Sequence, residues 1–360
     1  MKTHTREKCT VCIPFEKGNC ADIMKDVKKF RLHIDDTIAH FPELLPDGIA
    51  SGGYVMKDTQ KSKKLQLAIR RISVAGKNYS IRPSFVMPCM TGFTQDVEKA
   101  LFLRKFDVSF YALSYVFGRS TMYWYRLENH LGRNSLVGAT FHHNTPLPLH
   151  LIADEKHSRF AGEKCYVATT VASNCILGIA MAGNVVEVAL TKAYGVFAGE
   201  AQRLEPSYKP ETVNTDGWPA TQKAWQIIFS NILIIRYFLH IFIKIRDRAK
   251  IKFRDMFLEV ATKLWDCYRA TNKKSFSQRV RRLAEWCDTS QDVPAVISEP
   301  IKKLRKNNRY YAAAYDHPGC HRTSNILDRL MQRMDRHLFS TQYFHGSLGT
   351  AELEHRVLVK

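Results

Sequence analysis

The sequence predicts a mixed α/β fold whose second half begins with three consecutive strands and continues with alternating helices and strands. First, the runs "LHLIADEKH", "EKCYVATTVAS" and "CILGIAMAG" follow one another from residue 148 with only short turns between them. Second, "NVVEVALTKAYGVFAGEAQRL" has the apolar spacing of a helix. Third, two short strand patterns, "ETVNTDGW" and "ILIIRYFLH", flank a helix that begins at Pro219.

Residues 1–93 are predicted to form an N-terminal region with a β-hairpin. The stretch "LQLAIRRISVAGKNYSIRPSFVMP", residues 65–88, alternates and is rich in Ile, Val and aromatic residues. Its "AGKN" segment supplies the turn. Upstream of this hairpin the composition is polar and mixed.

The three closely spaced cysteines of this region are Cys9, Cys12 and Cys20. Only His4 or His33 could complete four ligands, and the spacing is irregular, so we do not expect bound zinc there. The chain has nine cysteines and opens with "MKTHTREKC", which lacks the apolar segment of a signal peptide. A reducing, cytoplasmic location is therefore expected.

Residues 94–132 are predicted to form three short helices. Thr94 and Ser120 are candidate N-caps, and Gly118 is a candidate stop for the second helix. Helix, break, helix, glycine turn and helix is the pattern of a helix-turn-helix, whose last helix reads the major groove. A plain three-helix bundle with an aromatic core is the alternative. The residues that could contact DNA are Arg119, Thr121, Tyr123, Trp124 and Arg126.

A polar, proline-containing linker is predicted to follow, up to residue 147. Beyond the last strand, residues 246–310 are helical in pattern and basic, with 14 Lys and Arg against 7 Asp and Glu from Lys252 to Arg309. Such a surface can hold a phosphate backbone, or it can be an ordinary solvated face. The candidates for phosphate contact are Arg279, Arg281, Arg282, Lys302, Lys303 and Arg305.

The overall charge indicates a polyanionic partner. The chain carries 54 Lys and Arg against 34 Asp and Glu, a net charge of +20, and its hydrophobic content of 45% excludes global disorder.

The most apolar window, residues 227–245, is long enough to cross a membrane. Polar residues interrupt it at Asn231, Arg236, His240 and Lys244, so a buried helix–strand–helix passage is predicted instead.

The order β-β-β-α-β-α-β is that of the RNase H-like fold, in which the first and fourth strands lie side by side. Asp154 on the first strand and Asp216 at the end of the fourth would therefore meet. Asp328, on the helix predicted for "TSNILDRLMQRMDRHLF", is placed to supply a third acid. Three carboxylates at one point repel each other and need cations. Two Mg²⁺ or Mn²⁺ ions would satisfy them and clamp a reacting phosphodiester.

Several segments in this order resemble the DDE/DDD transposases of bacterial insertion sequences. They are "IRPSFVMP", "LSYVFGRSTMYWYRLENHLGRNSLVG", "IADEKHS", "EKCYVATTVASNCILG", "AYGVFAGEA", "VNTDGWPATQKAW", "FLHIFIKIRDR" and "TSNILDRLMQRMDR". The resemblance covers about residues 65–350. It implies a catalytic domain over residues 148–350 with a helical insertion at 246–310, preceded by a DNA-binding region at 94–147.

The resemblance also implies an activity. Asp154, Asp216 and Asp328 would bind two metal ions and catalyse phosphodiester cleavage and strand transfer at the ends of an insertion element. The implied partners are terminal inverted repeats, target DNA and further copies of the chain, at the nucleoid and without a membrane.

The sequence departs from the family pattern at three places. The third acid is Asp328, where many relatives carry Glu, and Asp335 lies seven residues on, near the same helix face. In the Mutator-like transposases a Cys-x-x-His motif follows the fifth strand, whereas "YFLH" here has Tyr237 at the Cys position and keeps His240. The chain ends at "LEHRVLVK", which is compatible with a truncated or decayed copy that acts only as a DNA-binding protein.

Each acid also has a purely structural alternative. These alternatives are Asp154 paired with Lys156, Asp216 capping the helix that begins near Pro219, Asp328 paired with Arg329, and Glu155 in place of Asp154.

Overall fold

The computed structural model describes residues 9–87, 91–141, 145–290, 292–340 and 347–358. The chain divides into two compact units, Met1–Arg119 and Ser120–Lys360. Each unit is described by itself.

The first unit packs two helices on one face of a four-stranded sheet. Its elements are β1 (Thr10–Ile13), α1 (Lys17–Lys25), α2 (Val27–His40), a 3-10 turn (Pro42–Leu44), α3 (Ile49–Gly52), β2 (Val55–Ser62), β3 (Leu67–Val74), β4 (Lys77–Pro83), α4 (Thr94–Arg104) and α5 (Phe110–Phe117). The strand order is β1-β4-β3-β2, with β1 parallel to β4 and the other pairs antiparallel. The predicted hairpin is confirmed as β3 and β4, which turn at Ala75 and Gly76, both with positive φ.

Apolar residues of β1, α1, α2, β3 and β4 form the core of this unit, among them Ile13, Met24, Phe30, Ile72 and Ile81. Cys20 lies in this core, where burial raises the pKa of its thiol. The sequence pattern did not indicate α1 and α2, because Lys and Asp residues dilute their apolar stripes.

The second unit is a mixed α/β structure, as the sequence predicts. Its elements are α6 (Thr121–Gly132), α7 (Leu136–Thr140), β5 (His150–Phe160), β6 (Glu163–Ala172), β7 (Cys175–Ala182), α8 (Glu187–Leu204), β8 (Thr212–Thr215), α9 (Pro219–Ile228), β9 (Leu233–Arg236), α10 (Leu239–Ala249), α11 (Arg254–Tyr268), α12 (Lys273–Thr289), α13 (Ala295–Lys306), α14 (Asn308–Ala312), α15 (Asn325–Ser340) and α16 (Leu348–Leu358). A mixed sheet of order β7-β6-β5-β8-β9 runs through it, with β5 antiparallel to β6 and parallel to β8.

Both faces of this sheet are covered. Leu151, Ala153 and Val213 face a core shared with α8 and α9, which contribute Tyr194 and Trp225. The alternate positions face the other way, because successive side chains of a strand point to opposite faces. On that second face Ile152 packs with Leu327, Met331 and Met334 of α15. The helix predicted for "TSNILDRLMQRMDRHLF" is thus confirmed as α15, and it packs on the sheet through these residues.

Residues 246–310 are largely helical, as predicted, and helices α10 to α14 share an apolar core of their own. Its members include Phe257, Leu264, Phe276, Val280, Ile297 and Leu304. The apolar window at 227–245 resolves into the end of α9, the strand β9 and the start of α10. None of the helices described here is long and apolar enough to span a membrane.

The predicted linker after residue 132 is wrong in one respect, because it contains the short helix α7. Ser135 accepts a hydrogen bond from the N–H of Gly138 and so starts this helix. Leu136 and Val137 are buried within the second unit. Because polar residues lie on both sides of this Leu-Val pair, the sequence pattern does not indicate a buried helix here.

All three helices predicted for residues 94–132 are present as α4, α5 and α6. Ser120 accepts from the N–H of Tyr123, and Gly118 ends α5 with a φ of 67°. The boundary between the compact units falls just before Ser120, so α6 belongs to the second unit. There the Nε of Arg356, on α16, donates to the carbonyl of Gly132 at the end of α6. The helix-turn-helix assignment therefore stays a prediction.

Candidate active site

Asp154 and Asp216 lie at matching positions of two adjacent parallel strands. His150, Leu151 and Ile152 of β5 pair with Thr212, Val213 and Asn214 of β8. Asp154 stands four residues after His150, and Asp216 stands four residues after Thr212. Continuing the register by two residues thus sets the two acids beside each other on one face.

That face is the one that α15 covers, since Ile152 points the same way as Asp154 and packs on α15. Asn214, two residues before Asp216, is buried, and its side-chain amide donates to the carbonyl of His321 in the segment that leads into α15. Asp154 is half-buried while Asp216 is exposed, so the pair lies at an open edge of this face.

Asp328 is the acid of α15 that acts on this pair. Its Oδ2 accepts a hydrogen bond of 2.8 Å from Ser324 Oγ, which also lies 3.4 Å from His240 Nε2. The negative charge of Asp328 raises the pKa of Asp154. Asp335 is engaged elsewhere, with its Oδ1 2.5 Å from Lys156 Nζ. The structure pairs Lys156 with Asp335 rather than with Asp154, and the assignment of Asp328 as the third acid stays a prediction.

The pKa of Asp154 is raised to about 8. Burial is the largest cause, followed by the negative charges of Asp216, Glu155 and Asp328, while a hydrogen bond from the N–H of Glu155 opposes the rise. With no cation present, this carboxyl holds its proton near neutral pH. A bound cation would favour the ionised form, as for any carboxylate that ligates a metal.

Asp216 also shapes the turn that follows β8. Its Oδ1 accepts a hydrogen bond of 2.7 Å from the N–H of Trp218, the residue that precedes α9. Gly217 between them has a φ of 97°, a conformation that favours glycine. Asp216 therefore does bond the backbone at the start of α9, as its structural alternative requires. This hydrogen bond holds the carboxylate at the strand end and does not remove it from the site.

Tyr237 and His240, from the "YFLH" segment, lie among these acids. The Tyr237 hydroxyl donates to the carbonyl of Ala153 at 2.9 Å, and its pKa is raised by burial and then by the surrounding carboxylates, Asp154 first. Burial lowers the pKa of His240, while Asp216 and Asp328 act in the opposite direction. The neutral ring of His240 is therefore favoured beside Ser324.

Glu155 faces away from this group. Its Oε1 accepts from the Tyr194 hydroxyl at 2.8 Å and from Thr221 Oγ1 at 2.6 Å. Burial raises the pKa of Glu155, and its Oε2 has no hydrogen-bond partner among the described residues. The strand alternation that points Asp154 towards α15 thus points Glu155 towards α8 and α9, where it joins these helices to β5.

The acids do not form a closed metal shell. Across the described residues, no three His, Cys, Asp or Glu side chains are grouped closely enough to hold a metal ion. The donor set at Asp154, Asp216 and Asp328 nevertheless consists of carboxylate oxygens, which suit Mg²⁺ or Mn²⁺. Of the N-terminal cysteines and histidines considered as zinc ligands, Cys20 is buried in an apolar core, and His4 lies outside the described residues.

The residues predicted to contact DNA lie on α6 and in the helical insertion of the second unit, and at Arg119, the last residue of the first unit. On α6 and before it, Thr121 and Arg126 are exposed, Tyr123 packs edge-on against Trp124, and Arg119 has a φ of 67°. In the insertion, Arg281 pairs with Glu285, and both Lys302 and Arg305 pair with Asp288. Arg279 donates to the carbonyl of Asp266, while Arg282 and Lys303 are exposed.

The sequence interpretation proposed the three acids but did not single out Asn214, whose side chain contacts the segment that leads into α15. The signal was available, because Asn214 lies two residues before Asp216 and so shares its face of β8.

Comparisons with known proteins give distant structural likenesses. No family model matches the chain, and no curated protein matches it either. Among solved structures, the chain is similar to the integrase catalytic core domain of HTLV-2, determined in complex with magnesium in a trimeric form. The two are 16% identical, with 41% of this chain and 90% of that chain covered and a TM-score of 0.20. A TM-score this low carries no weight for function.

Proposed function

We propose that the second unit is an RNase H-like polynucleotidyl transferase that cleaves and joins DNA with the help of divalent metal ions. One observation carries the proposal: the parallel pairing of β5 with β8, continued two residues past Ile152 and Asn214, sets Asp154 beside Asp216 on the face that α15, the helix of Asp328, covers. More specifically, we propose a DDE/DDD transposase that acts on the terminal inverted repeats of an insertion element and on target DNA, as an oligomer on the DNA.

The three acids hold the metal in this proposal. When bound, Mg²⁺ or Mn²⁺ stabilises the charge that develops on the attacking and leaving oxygens of a phosphodiester. Asp154 must lose the proton that its raised pKa retains, so it is the residue whose charge state couples most strongly to metal binding. Asp216 keeps its position because the Asp216–Trp218 hydrogen bond fixes the strand end.

The third acid depends on its neighbours for position. Ser324 donates to Asp328, and His240 lies next to Ser324. Asn214 holds the carbonyl of His321, three residues before Ser324, so it restrains the segment that carries α15. This arrangement leaves Asp328 exposed on the side where a DNA strand can approach.

The test is a cleavage assay with supercoiled plasmid DNA in Mg²⁺ or Mn²⁺, followed by an assay with DNA that carries the inverted repeats flanking the gene. Asp154→Asn, Asp216→Asn and Asp328→Asn should each lower the rate by roughly a hundredfold or more, because each removes a metal ligand. Asp335→Asn is the matched control and should retain most activity. Metal-independent DNA binding by a protein that never cleaves would instead support a decayed transposase.

A further inference from the structure

The sheet of the first unit concentrates positive charge. Residues 55–84, which span β2, β3 and β4, contain eight basic residues and one acidic residue, Asp58. The basic residues are Lys57, Lys61, Lys63, Lys64, Arg70, Arg71, Lys77 and Arg82. No other function described above uses this segment.

Four of the eight basic residues reach the solvent along one edge. Lys57 and Lys61 are exposed on β2, the edge strand of the sheet, and Lys63 and Lys64 are exposed in the turn that follows it. Arg70 is different, because it is buried and donates to the carbonyls of Met24 and Lys25. The exposed lysines, rather than Arg70, are thus the groups available to a ligand.

The face of the sheet turned away from α1 and α2 carries mostly polar side chains, with the buried Ile69 among them. Ile72 and Ile81 point into the core with those helices, so the alternate positions point the other way. There Arg71 pairs with Ser80 across the sheet, and Ser73 pairs with Asn78. Gln60, on β2, is exposed on the same face beside Ile69. Amide, hydroxyl and guanidinium groups of this kind hydrogen-bond the edges of bases.

We infer that the β2–β3–β4 sheet is a binding surface for double-stranded DNA. The major groove admits a small β-ribbon, and exposed lysines at its edge neutralise the flanking phosphates. The guanidinium of Arg71 is held by both carboxylate oxygens of Asp58. The polar face therefore supplies Gln60 and Asn78 to the bases, while Lys61, Lys63 and Lys64 lie against the backbone. This inference adds a DNA surface to the DNA-processing function proposed above.

Lysines on an edge strand have a second known effect, since they discourage pairing with another strand. The pairing of β2 with β3 also shifts register between Met56 and Thr59, which is a further feature of protected edges. The two roles differ in a measurable way. Protection of an edge affects aggregation, whereas phosphate contact affects the salt dependence of DNA binding.

The first experiment uses the full chain with EDTA, so that catalysis does not contribute to the measurement. Failure of this inference can then be distinguished from failure of the proposed catalytic function. The variant Lys61→Gln/Lys63→Gln/Lys64→Gln is compared with Lys25→Gln/Lys28→Gln/Lys29→Gln. The second variant removes three exposed lysines from the end of α1 and the start of α2. Binding to a 20-base-pair duplex of random sequence is followed by fluorescence anisotropy at several salt concentrations. Circular dichroism confirms that both variants are folded.

The sheet variant should bind at least about tenfold more weakly, and the slope of log affinity against log salt should fall by about two to three, since each phosphate contact contributes about 0.9. The helix variant should behave like the unaltered chain. Equal slopes for the sheet variant and the unaltered chain overturn the inference, with or without increased aggregation. Equal loss in the two variants also overturns it, because net charge alone would then account for binding.

The second experiment tests base contact. A preferred duplex is selected from a random pool with the unaltered chain, and Gln60→Ala/Asn78→Ala is measured against it. The preference for the selected duplex over the random one should fall by roughly tenfold, while random-duplex affinity changes less than about twofold. An unchanged preference, or a pool that yields no preferred sequence, removes the groove-reading part of the inference.

Discussion

Asp154 of β5 and Asp216 beyond β8 stand in register on two parallel strands, on the face covered by α15. Neighbouring strands lie only about 4.8 Å apart, so two carboxylates in register repel each other strongly. Burial first, and then this repulsion, raises the pKa of Asp154 to about 8. An arrangement that destabilises its own charged form is typical of functional sites rather than of structural ones.

The first prediction follows from that pKa. An unfolded Asp has a pKa of about 3.9. Between this value and about 8 the folded state keeps a proton that the unfolded state loses, so the metal-free free energy of unfolding should fall as pH rises through this range. Asp154→Asn removes the effect and should stabilise the protein by at least about 1 kcal/mol at pH 8, with little gain near pH 4. Urea denaturation in EDTA at several pH values measures this.

The control for this prediction is Asp266→Asn, which alters an exposed carboxyl on α11. Its free energy of unfolding should follow that of the unaltered chain at every pH. Parallel curves for Asp154→Asn and the unaltered chain would mean that Asp154 ionises normally in the folded state.

The second prediction concerns metal binding. Mg²⁺ or Mn²⁺ at millimolar concentration should raise the melting temperature at pH 7.5, because a ligand that binds only the folded state stabilises it. Asp216→Asn and Asp328→Asn should reduce the rise to less than about half, since each removes a ligand. Asp335→Asn should keep it, because Asp335 is paired with Lys156. If Asp335→Asn abolished the rise in melting temperature and Asp328→Asn did not, Asp335 rather than Asp328 would be the third metal ligand.

The strands and helices around the site could be predicted from local pattern. The runs that became β5, β6 and β7 are apolar and β-branched, and the run that became α8 has helical spacing. Asp154 and Asp216 could be placed together because strand alternation and a known order of elements fix which residues become neighbours. Asp328 lies far along the chain from both, so it could be placed with them only through the known fold, in which a late helix packs across the sheet.

Other features depend on contacts between distant segments and leave little trace in local pattern. Asp335 and Asp328 lie on nearly the same helix face, but Asp335 pairs with Lys156 whereas Asp328 accepts a hydrogen bond from Ser324. Glu155 becomes structural because Tyr194 and Thr221 reach it from two other helices. The helices α1 and α2 were not foreseen, because their buried residues are too few to outweigh the charged ones in sequence.

The third prediction concerns a buried ion pair that joins α16 to the rest of the second unit. The guanidinium of Arg356 contacts Glu200 on α8, and both side chains are almost fully buried. Arg356 also donates to the carbonyls of Gly132 and Asn134, and Glu200 accepts from the N–H of Leu136. Arg356→Ala should destabilise the chain by about 3–5 kcal/mol, because it leaves a buried carboxylate without its partner.

Glu200→Gln/Arg356→Met tests the cause of that loss in the same denaturation measurement. Removing both charges together should cost clearly less than Arg356→Ala alone, since no charge is left unpaired. A double variant that is as unstable as Arg356→Ala would show that packing, rather than charge, dominates at this position. Gly132→Ala should also destabilise, because a Cβ there would meet the carbonyl of Leu353.

The last prediction concerns the helical insertion. Arg281 and Arg282 are exposed on α12, and Arg281 pairs with the exposed Glu285, a pairing that contributes little in water. If these side chains contact phosphates, Arg281→Glu/Arg282→Glu should lower affinity for random-sequence duplex DNA and reduce its salt slope by about two. The preference for terminal repeats over random DNA should stay largely intact, because phosphate contacts carry no sequence information.

The matched control is Lys192→Glu/Lys209→Glu, which reverses two exposed lysines on α8 and in the segment after it. It changes the net charge by the same amount, and its salt slope should stay near that of the unaltered chain. An unchanged slope in the α12 variant would show that these arginines do not touch the backbone. A collapse of the sequence preference would show that the insertion reads bases, since loss of backbone contacts weakens all sequences alike.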